Sequence, residues 1–254
     1  MATDPMTDAG FFISMRLLAA SEPGFRPFTP LHYLTLLGCA AFVGGSVFIG
    51  KKLQHRPKAA AEPGWRNAQG WLCLVIYALY QIWLWLPQNF RWDESLPLEF
   101  CDMGMLVAAG AMLGRARWLR GLLYFWLTVF TIQAFITPVL QKGPARPEFW
   151  LFWLAHTSIA NAAIYDLVVG KFRPDLTDAV RSYVISFFYA AALLIVDNLS
   201  GWNYGYVGPF KPATPTLLDA LGDYPLRLVW MVLIAAAGFA IAWLPWAIVR
   251  RRRR

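Results

Sequence analysis

A chain of 254 residues with 58% hydrophobic side chains, 13 Trp, 18 Phe and only 15% charged residues is too apolar for one or two water-soluble domains. The net charge of +8 does not point to nucleic acid, because its surplus falls in short clusters beside apolar runs and no basic domain or aromatic platform accompanies it. Lipid is therefore the expected solvent, and the fold class is all-α: a polytopic membrane helix bundle.

Residues 1–30 form an N-terminal extramembrane segment. Asp4 and Asp8 occupy what would be the basic region of a cleavable signal peptide, and the apolar stretch from Phe11 is short, so an interfacial helix is expected there. Seven mostly apolar runs follow, at roughly 31–50, 70–87, 97–113, 119–140, 148–169, 179–199 and 225–249, the second and third of them short. A hydrocarbon core of about 30 Å needs about 20 residues of helix. Pro27 and Pro30 precede the first run, Pro57, Pro63 and Gly64 break the first loop, and Pro138, Pro144 and Pro147 separate the fourth run from the fifth. The transmembrane domain is thus expected over 31–249, with an outer loop at 200–224 and a basic tail at 250–254.

Orientation follows from the cations. One side carries Lys51, Lys52, Arg56, Lys58, Arg66, Arg115, Arg117, Arg120, Lys171, Arg173, Arg181 and Arg250 to Arg254, which is 16 of the 23 Lys and Arg. The richer side is expected to be cytoplasmic, placing the N-terminus outside, the C-terminus inside, and the arginine tail against anionic lipid headgroups. Cys39, Cys73 and Cys101 fall at different depths in three runs, so no disulfide is expected. With three His (His32, His55, His156) and no ligand cluster, no metal and no cofactor is expected either.

Depth is the informative variable. A helix rises about 1.5 Å per residue, so positions four to eight residues from an outer end lie about 6–12 Å below that interface. His32, Gln81, Glu99, Cys101, Asp102, Gln133, Thr137, His156, Asp197 and Asn198 all fall in that layer, whereas the inner half offers mainly Asn161 and Asp166. Polar residues in lipid normally face a protein interior or a water-filled cavity, so the layer predicts an outward-facing polar pocket bordered by His32, Cys101, Gln133, His156 and Asn203. Pro97 suits the first position of the third helix, which would put Cys101 one turn in, where the helix dipole favours a thiolate. A neighbouring His156 would complete a nucleophile and base suited to acyl transfer. Each residue also has a plainer reading: Cys101 as a small buried hydrophobe, His156 as an interhelical hydrogen-bond donor, Glu99 as a helix-dipole partner and Gln133 as interhelical glue.

The loop from Ser200 to Tyr224 reads as a structured lid. Its glycines and prolines fix the backbone, Thr214 and Pro215 read as the start of a short helix ending at Gly222, and Trp202, Tyr204 and Tyr206 suit the interfacial belt. Lys211 suits either a phosphate contact or a snorkelling surface position.

Several of these runs, taken in order, resemble a known family. Leu96-Pro-Leu-Glu-Phe-Cys-Asp102, Phe28-Thr-Pro-Leu-His32, Gln133-Ala-Phe-Ile-Thr-Pro138, His156, Asn203-Tyr204 and Lys211-Pro-Ala-Thr-Pro-Thr-Leu-Leu-Asp219 resemble the YwaF-type bacterial integral membrane proteins over about residues 28–245. That group is in turn similar to eukaryotic transmembrane acyltransferases that move polyunsaturated acyl chains onto lysophospholipids. The resemblance implies a bacterial inner membrane, phospholipid and lysophospholipid partners, and catalytic roles for Cys101 and His156. His32, Glu99, Gln133, Asn198, Asn203, Tyr204 and Lys211 are the expected substrate-binding residues. The bacterial pattern usually carries a His two residues before the Cys, where this chain has Glu99. Three function classes follow: a lipid acyltransferase or acyl hydrolase, a transporter or channel for a small solute, and a non-catalytic receptor or scaffold.

Overall fold

The computed structural model describes residues 24–55, 61–210 and 220–251. Those residues are mostly helical and include no strand. We number the helices α1 (Pro30–Gln54), α2 (Ala61–Trp85), α3 (Phe100–Gly114), α4 (Arg117–Ile136), α5 (Pro147–Val168), α6 (Leu176–Ser200) and α7 (Leu226–Arg251). Five of them, α1, α2, α4, α6 and α7, are long and apolar enough to cross a membrane. Helix α3 is apolar but has only 15 residues, and α5 carries His156, Asn161 and Asp166 among its buried side chains.

Local chemistry explains most of the boundaries. Thr29 caps α1 and Pro30 opens it, while Lys51 and Lys52 complement the dipole at its other end. Asp175 accepts a hydrogen bond from the Asp178 N–H to cap α6, and Gly201 closes that helix in the left-handed region at φ 75°. Helix α4 stops at Ile136 rather than near residue 140, because Thr137 is forced out of helical conformation (φ −131°, ψ 70°) ahead of Pro138.

Two other boundaries correct the sequence reading. Helix α2 starts at Ala61, so Pro63 and Gly64 lie in its first turn rather than in a loop, and proline costs little there because the first N–H groups have no intrahelical partner. Helix α3 starts at Phe100, with Glu99 as its N-cap and the Glu99 N–H donating to Asp102 Oδ2 at 3.2 Å. Cys101 is therefore the second helical residue and not a full turn in.

The bundle is organised round α3 and α5. Helix α3 packs on α2, α4 and α5, and α5 packs on α1, α2, α3 and α4. Small residues let them close up: a side chain at Gly104 would lie 3.2 Å from Ile159, and one at Gly70 would strike Leu113 at 2.7 Å. The outer helices show the opposite pattern, with Leu34, Leu37 and Phe48 of α1 and Leu233, Ile234 and Ile241 of α7 exposed, as a lipid-facing surface requires.

The inner half is richer in buried polar groups than expected. Because α2 begins nine residues earlier than the apolar run suggested, Arg66 and Gln69 lie inside the bundle instead of in a cytoplasmic loop. Arg66 Nε donates to Met112 O at 2.9 Å, and Gln69 Oε1 accepts from both Ser46 (3.2 Å) and Asn161 (2.7 Å). Asp166 is likewise held inside the bundle. It forms a two-pronged ion pair with Arg120 at 2.7 and 2.8 Å, both side chains being largely buried.

Candidate functional site

The start of α3 delivers Cys101 to α5. Its Sγ lies 3.2 Å from His156 Nε2, a direct contact between residues 55 apart in sequence. The other ring nitrogen decides the roles: His156 Nδ1 is 2.7 Å from Phe152 O, and a carbonyl oxygen can only accept. Nδ1 therefore carries the hydrogen, Nε2 presents its lone pair, and the Cys101 S–H donates to it. The ring is held by the Phe152 ring at 4.1 Å between centroids and by Phe135 edge-on at 6.4 Å. A thiol, a base that accepts its proton and a third group that orients the base is the arrangement that nucleophilic catalysis needs.

The remaining predicted site residues fall into distinct groups. Glu99, two residues before Cys101, accepts the Gly205 N–H on Oε2 at 3.1 Å and so ties the segment around residues 203–208 to the start of α3. Tyr204 is fully buried. Its hydroxyl donates to Trp92 O (2.7 Å) and accepts from the Leu96 N–H (3.0 Å), and its N–H donates to Asp197 Oδ1 (3.0 Å). Asn203 Oδ1 accepts from the Gly208 N–H at 3.0 Å, shaping the same turn. These three hold the segment around residues 203–208 against α3 and α6.

His32 sits beside the pair rather than on it. Its Nδ1 accepts the Phe28 N–H at 3.0 Å, so its Nε2 donates to Phe135 O at 3.1 Å. Both ring nitrogens are committed to backbone, and the residue is linked to His156 through Phe135 and through the Trp153 and Phe152 rings. Asn198 is exposed, donating to Leu194 O and accepting from the Tyr224 hydroxyl. Lys211, with Thr214 and Pro215, lies outside the described residues.

Gln133 is a correction. It is exposed and donates to Val129 O of its own helix, because α4 passes through a π-helical turn at Leu127–Thr131 just before it. The wider turn swings the residues beyond it by about 100° relative to regular helical phase, and Gln133, which depth alone had put in the polar layer, faces out. Gln133 accordingly does not border a shared pocket with Cys101 and His156. Two apolar crevices do open on the surface, one between α2 and the start of α5 at Trp83 and Trp150, the other at Met103, Trp126 and Tyr189, and neither is lined by Cys101 or His156.

Among the described residues, no three His, Cys, Asp or Glu side chains are grouped so as to hold a metal ion. Phe152 is the functional residue that sequence reasoning missed. It contributes a backbone carbonyl, and the available signal was its position four residues before His156, one turn up the same helix.

A model of the TMEM164 family matches residues 27–243. The chain belongs to the TMEM164 family. The match runs from just before α1 to within α7, so the TMEM164 region contains Cys101, His156, Phe152 and the whole clamp formed by Glu99, Asp197 and residues 203–208. Comparison with curated proteins and with solved structures gives no match.

Proposed function

We propose that this TMEM164-family protein is a phospholipid acyltransferase with Cys101 as nucleophile and His156 as base. The observation that carries the reading is the 3.2 Å contact between Sγ and Nε2, with Nδ1 committed to Phe152 O. In the first half-reaction Sγ attacks the ester carbonyl of a phospholipid while its proton passes to Nε2. The ester C–O bond then breaks, the departing lysophospholipid oxygen takes the proton from His156, and the acyl group remains as a thioester on Cys101. In the second, an acceptor hydroxyl gives its proton to Nε2 and attacks the thioester. The C–S bond breaks and the proton returns to sulfur. A lysophospholipid acceptor makes the reaction transfer; water makes it hydrolysis.

Residues 203–208 are tied to Glu99 and Asp197 beside the start of α3, and a cover there that excludes water protects a thioester and so favours transfer. Substrate then enters when that segment lifts. Glu99, Asn203 and Tyr204 act by holding it, and Asn198 meets the headgroup from the outer side. This assignment goes with seven membrane crossings in a bacterial inner membrane, an outer N-terminus, and a cytoplasmic arginine tail resting on anionic headgroups, supported by the 16 cations on one side against 7 on the other.

The ion pairs at the inner end argue against a solute path through the bundle. Arg120 with Asp166, and Arg117 with Asp175 and Asp178, tie α4 to α5 and α6 there. The direct test incubates purified protein with a phospholipid bearing a labelled acyl chain and with an unlabelled lysophospholipid. Wild type should show ping-pong kinetics and a labelled thioester at Cys101. Cys101→Ser and His156→Ala should each lose at least about 10²-fold in turnover, the usual size of a general-base contribution. Undiminished turnover in Cys101→Ser would defeat the covalent mechanism.

A further inference from the structure

The arginines at the Cys101 end of the bundle are of two kinds. Arg91 and Arg146 are more than half exposed and each lies against a carboxylate, Asp93 at 2.9 Å and Glu148 at 3.7 Å. Arg227, in the first turn of α7, is only 4% exposed. Its Nη2 donates to two backbone carbonyls, Gly208 O and Phe210 O, the second at 3.0 Å, and the guanidinium stands 6.0 Å from the centre of the Tyr224 ring. Its Nε is buried with no hydrogen-bond partner, and none of the described carboxylates forms an ion pair with it. Carbonyl dipoles offset only part of the cost of burying a charge, which normally takes a counter-ion as well. Arg120 shows that ordinary arrangement, with Asp166 on two of its nitrogens. Nε and Nη2 are one of the N–H pairs through which arginine grips a phosphate or carboxylate, and here the Nε half is empty. A buried donor of that kind points to a partner from outside the chain.

Packing joins this residue to the surroundings of Cys101. Leu228, beside Arg227, and Phe100, beside Cys101, pack against the same buried cluster of Leu193, Tyr204 and Val207. The carbonyls that Arg227 holds belong to the segment that Glu99 and Asp197 hold from the other side, through the Gly205 and Tyr204 N–H groups. The backbone there is drawn in close. A Cβ at Gly208 would lie 2.3 Å from Trp202 O and 3.0 Å from Asn203, so glycine is needed to present that carbonyl to the arginine.

We propose that Arg227 is the phosphate-binding residue for the phospholipid, and that its guanidinium passes from the carbonyls of Gly208 and Phe210 to two phosphate oxygens when residues 203–210 lift. The ligand class is a phosphodiester bearing acyl esters, its phosphate at the start of α7 and its ester toward the start of α3. Nη2 exchanges carbonyls for one phosphate oxygen, and Nε gains the acceptor it lacks. The buried charge is then matched by an opposite charge only when lipid is bound. No covalent bond changes and no proton moves. Phosphate binding and release of the cover become one event, because Nη2 cannot hold both sets of oxygens. A neutral diacylglycerol has the esters without the phosphate and leaves the segment in place.

The inference rests on the acyltransferase reading for the ester end of the lipid, and the experiment keeps the two apart by measuring binding in Cys101→Ser, without turnover. Phosphatidylcholine, diacylglycerol and glycerophosphocholine are each titrated into the detergent-solubilised protein, with Kd and amide exchange at residues 203–210 as readouts. Phosphatidylcholine should bind at least about 10-fold tighter than diacylglycerol, the effect of a charge-assisted pair of hydrogen bonds, and should quicken exchange at residues 203–210. Adding Arg227→Met should bring the two lipids to equal Kd with diacylglycerol unchanged, and Arg227→Lys, a point charge without the fork, should keep part of the preference. Glycerophosphocholine should need at least about 100-fold more ligand, because it has no chains to bury. Equal potency would assign the site to a soluble phosphate and overturn the lipid. An undiminished preference in Arg227→Met, or weakened binding of both lipids alike, overturns the phosphate role. If Arg227→Met does not fold, the Cys101→Ser protein decides alone: exchange at residues 203–210 that phosphatidylcholine leaves unchanged overturns the proposal. Failure of wild type to form a labelled thioester, with the binding results as expected, defeats the acyltransferase reading and leaves the phosphate site standing.

Discussion

Removing Asp166 should cost more stability than any other single carboxylate change at the inner end of the bundle. Asp166 and Arg120 are joined by two hydrogen bonds of 2.7 and 2.8 Å, their side chains are 5% and 15% exposed, and the guanidinium also donates to Gly170 O and lies 4.6 Å from the centre of the Phe172 ring. Asp166→Ala leaves a buried guanidinium with only a carbonyl and a ring, and removing one partner of a buried pair costs about 3–5 kcal/mol. At about 2–4 °C per kcal/mol for a protein of this size, unfolding in detergent should fall by roughly 6–20 °C. Arg120→Met combined with Asp166→Leu should recover most of the loss, since removing both charges also removes the desolvation cost. The exposed pair of Arg91 and Asp93, 2.9 Å apart, is the control. Its hydrogen bond holds the Asp93 carboxyl below the usual carboxylate range, so its contribution is present above that range and fades as pH falls; Asp93→Asn should barely move unfolding at neutral pH. A loss below about 1 kcal/mol in Asp166→Ala would refute the claim that burial sets the strength of the inner ion pair.

Two further outcomes follow. A reporter fused after Arg254 should be accessible only from the cytoplasm and one before Met1 only from outside, in line with the cation distribution; finding both termini on one side would change the number of crossings by one. Glu99→Gln keeps an oxygen for the Gly205 N–H and should retain fold and most turnover, whereas Glu99→Ala orphans that donor at a cost of about 1–3 kcal/mol and should loosen residues 203–208, read as faster amide exchange there; equal exchange in the two variants would show that the carboxylate does not hold the segment.

What the sequence made legible was the chemistry at the outer layer rather than its shape. Cys101 and His156 could be paired because each helix rises a known distance per residue, so depth can be read without knowing which way a helix is turned. Rotation was not legible, and the errors are rotational or local. The π-helical turn at Leu127–Thr131 carries no residue-type signature, yet it decides that Gln133 faces out. The start of α2 was misjudged because Pro63, Gly64 and Arg66 look like a loop when hydropathy is the criterion. Arg66 is inside because Met112 O, at a helix end near α2, needs a donor that a sequence reading cannot locate. Phe152 was passed over for a simpler reason: its contribution is backbone, and only its place four residues before His156 points to it.

Coupling between the start of α3 and residues 203–208 explains why Glu99, Asn203 and Tyr204 hold the protein together in this form. Glu99 caps the helix that carries Cys101 and at the same time holds Gly205, while Asp197 at the end of α6 holds Tyr204, whose hydroxyl grips the loop between α2 and α3. Arg227 of α7 completes the set by donating to Gly208 O and Phe210 O. Lifting the segment therefore breaks bonds to α3, α6 and α7 together, several of them buried and each worth about 1 kcal/mol net. Such a cover opens as a unit rather than fraying from one end. A phospholipid that repays those bonds on binding would find Cys101 and His156 already in contact, since neither the 3.2 Å approach nor the Phe152 hydrogen bond involves the moving residues.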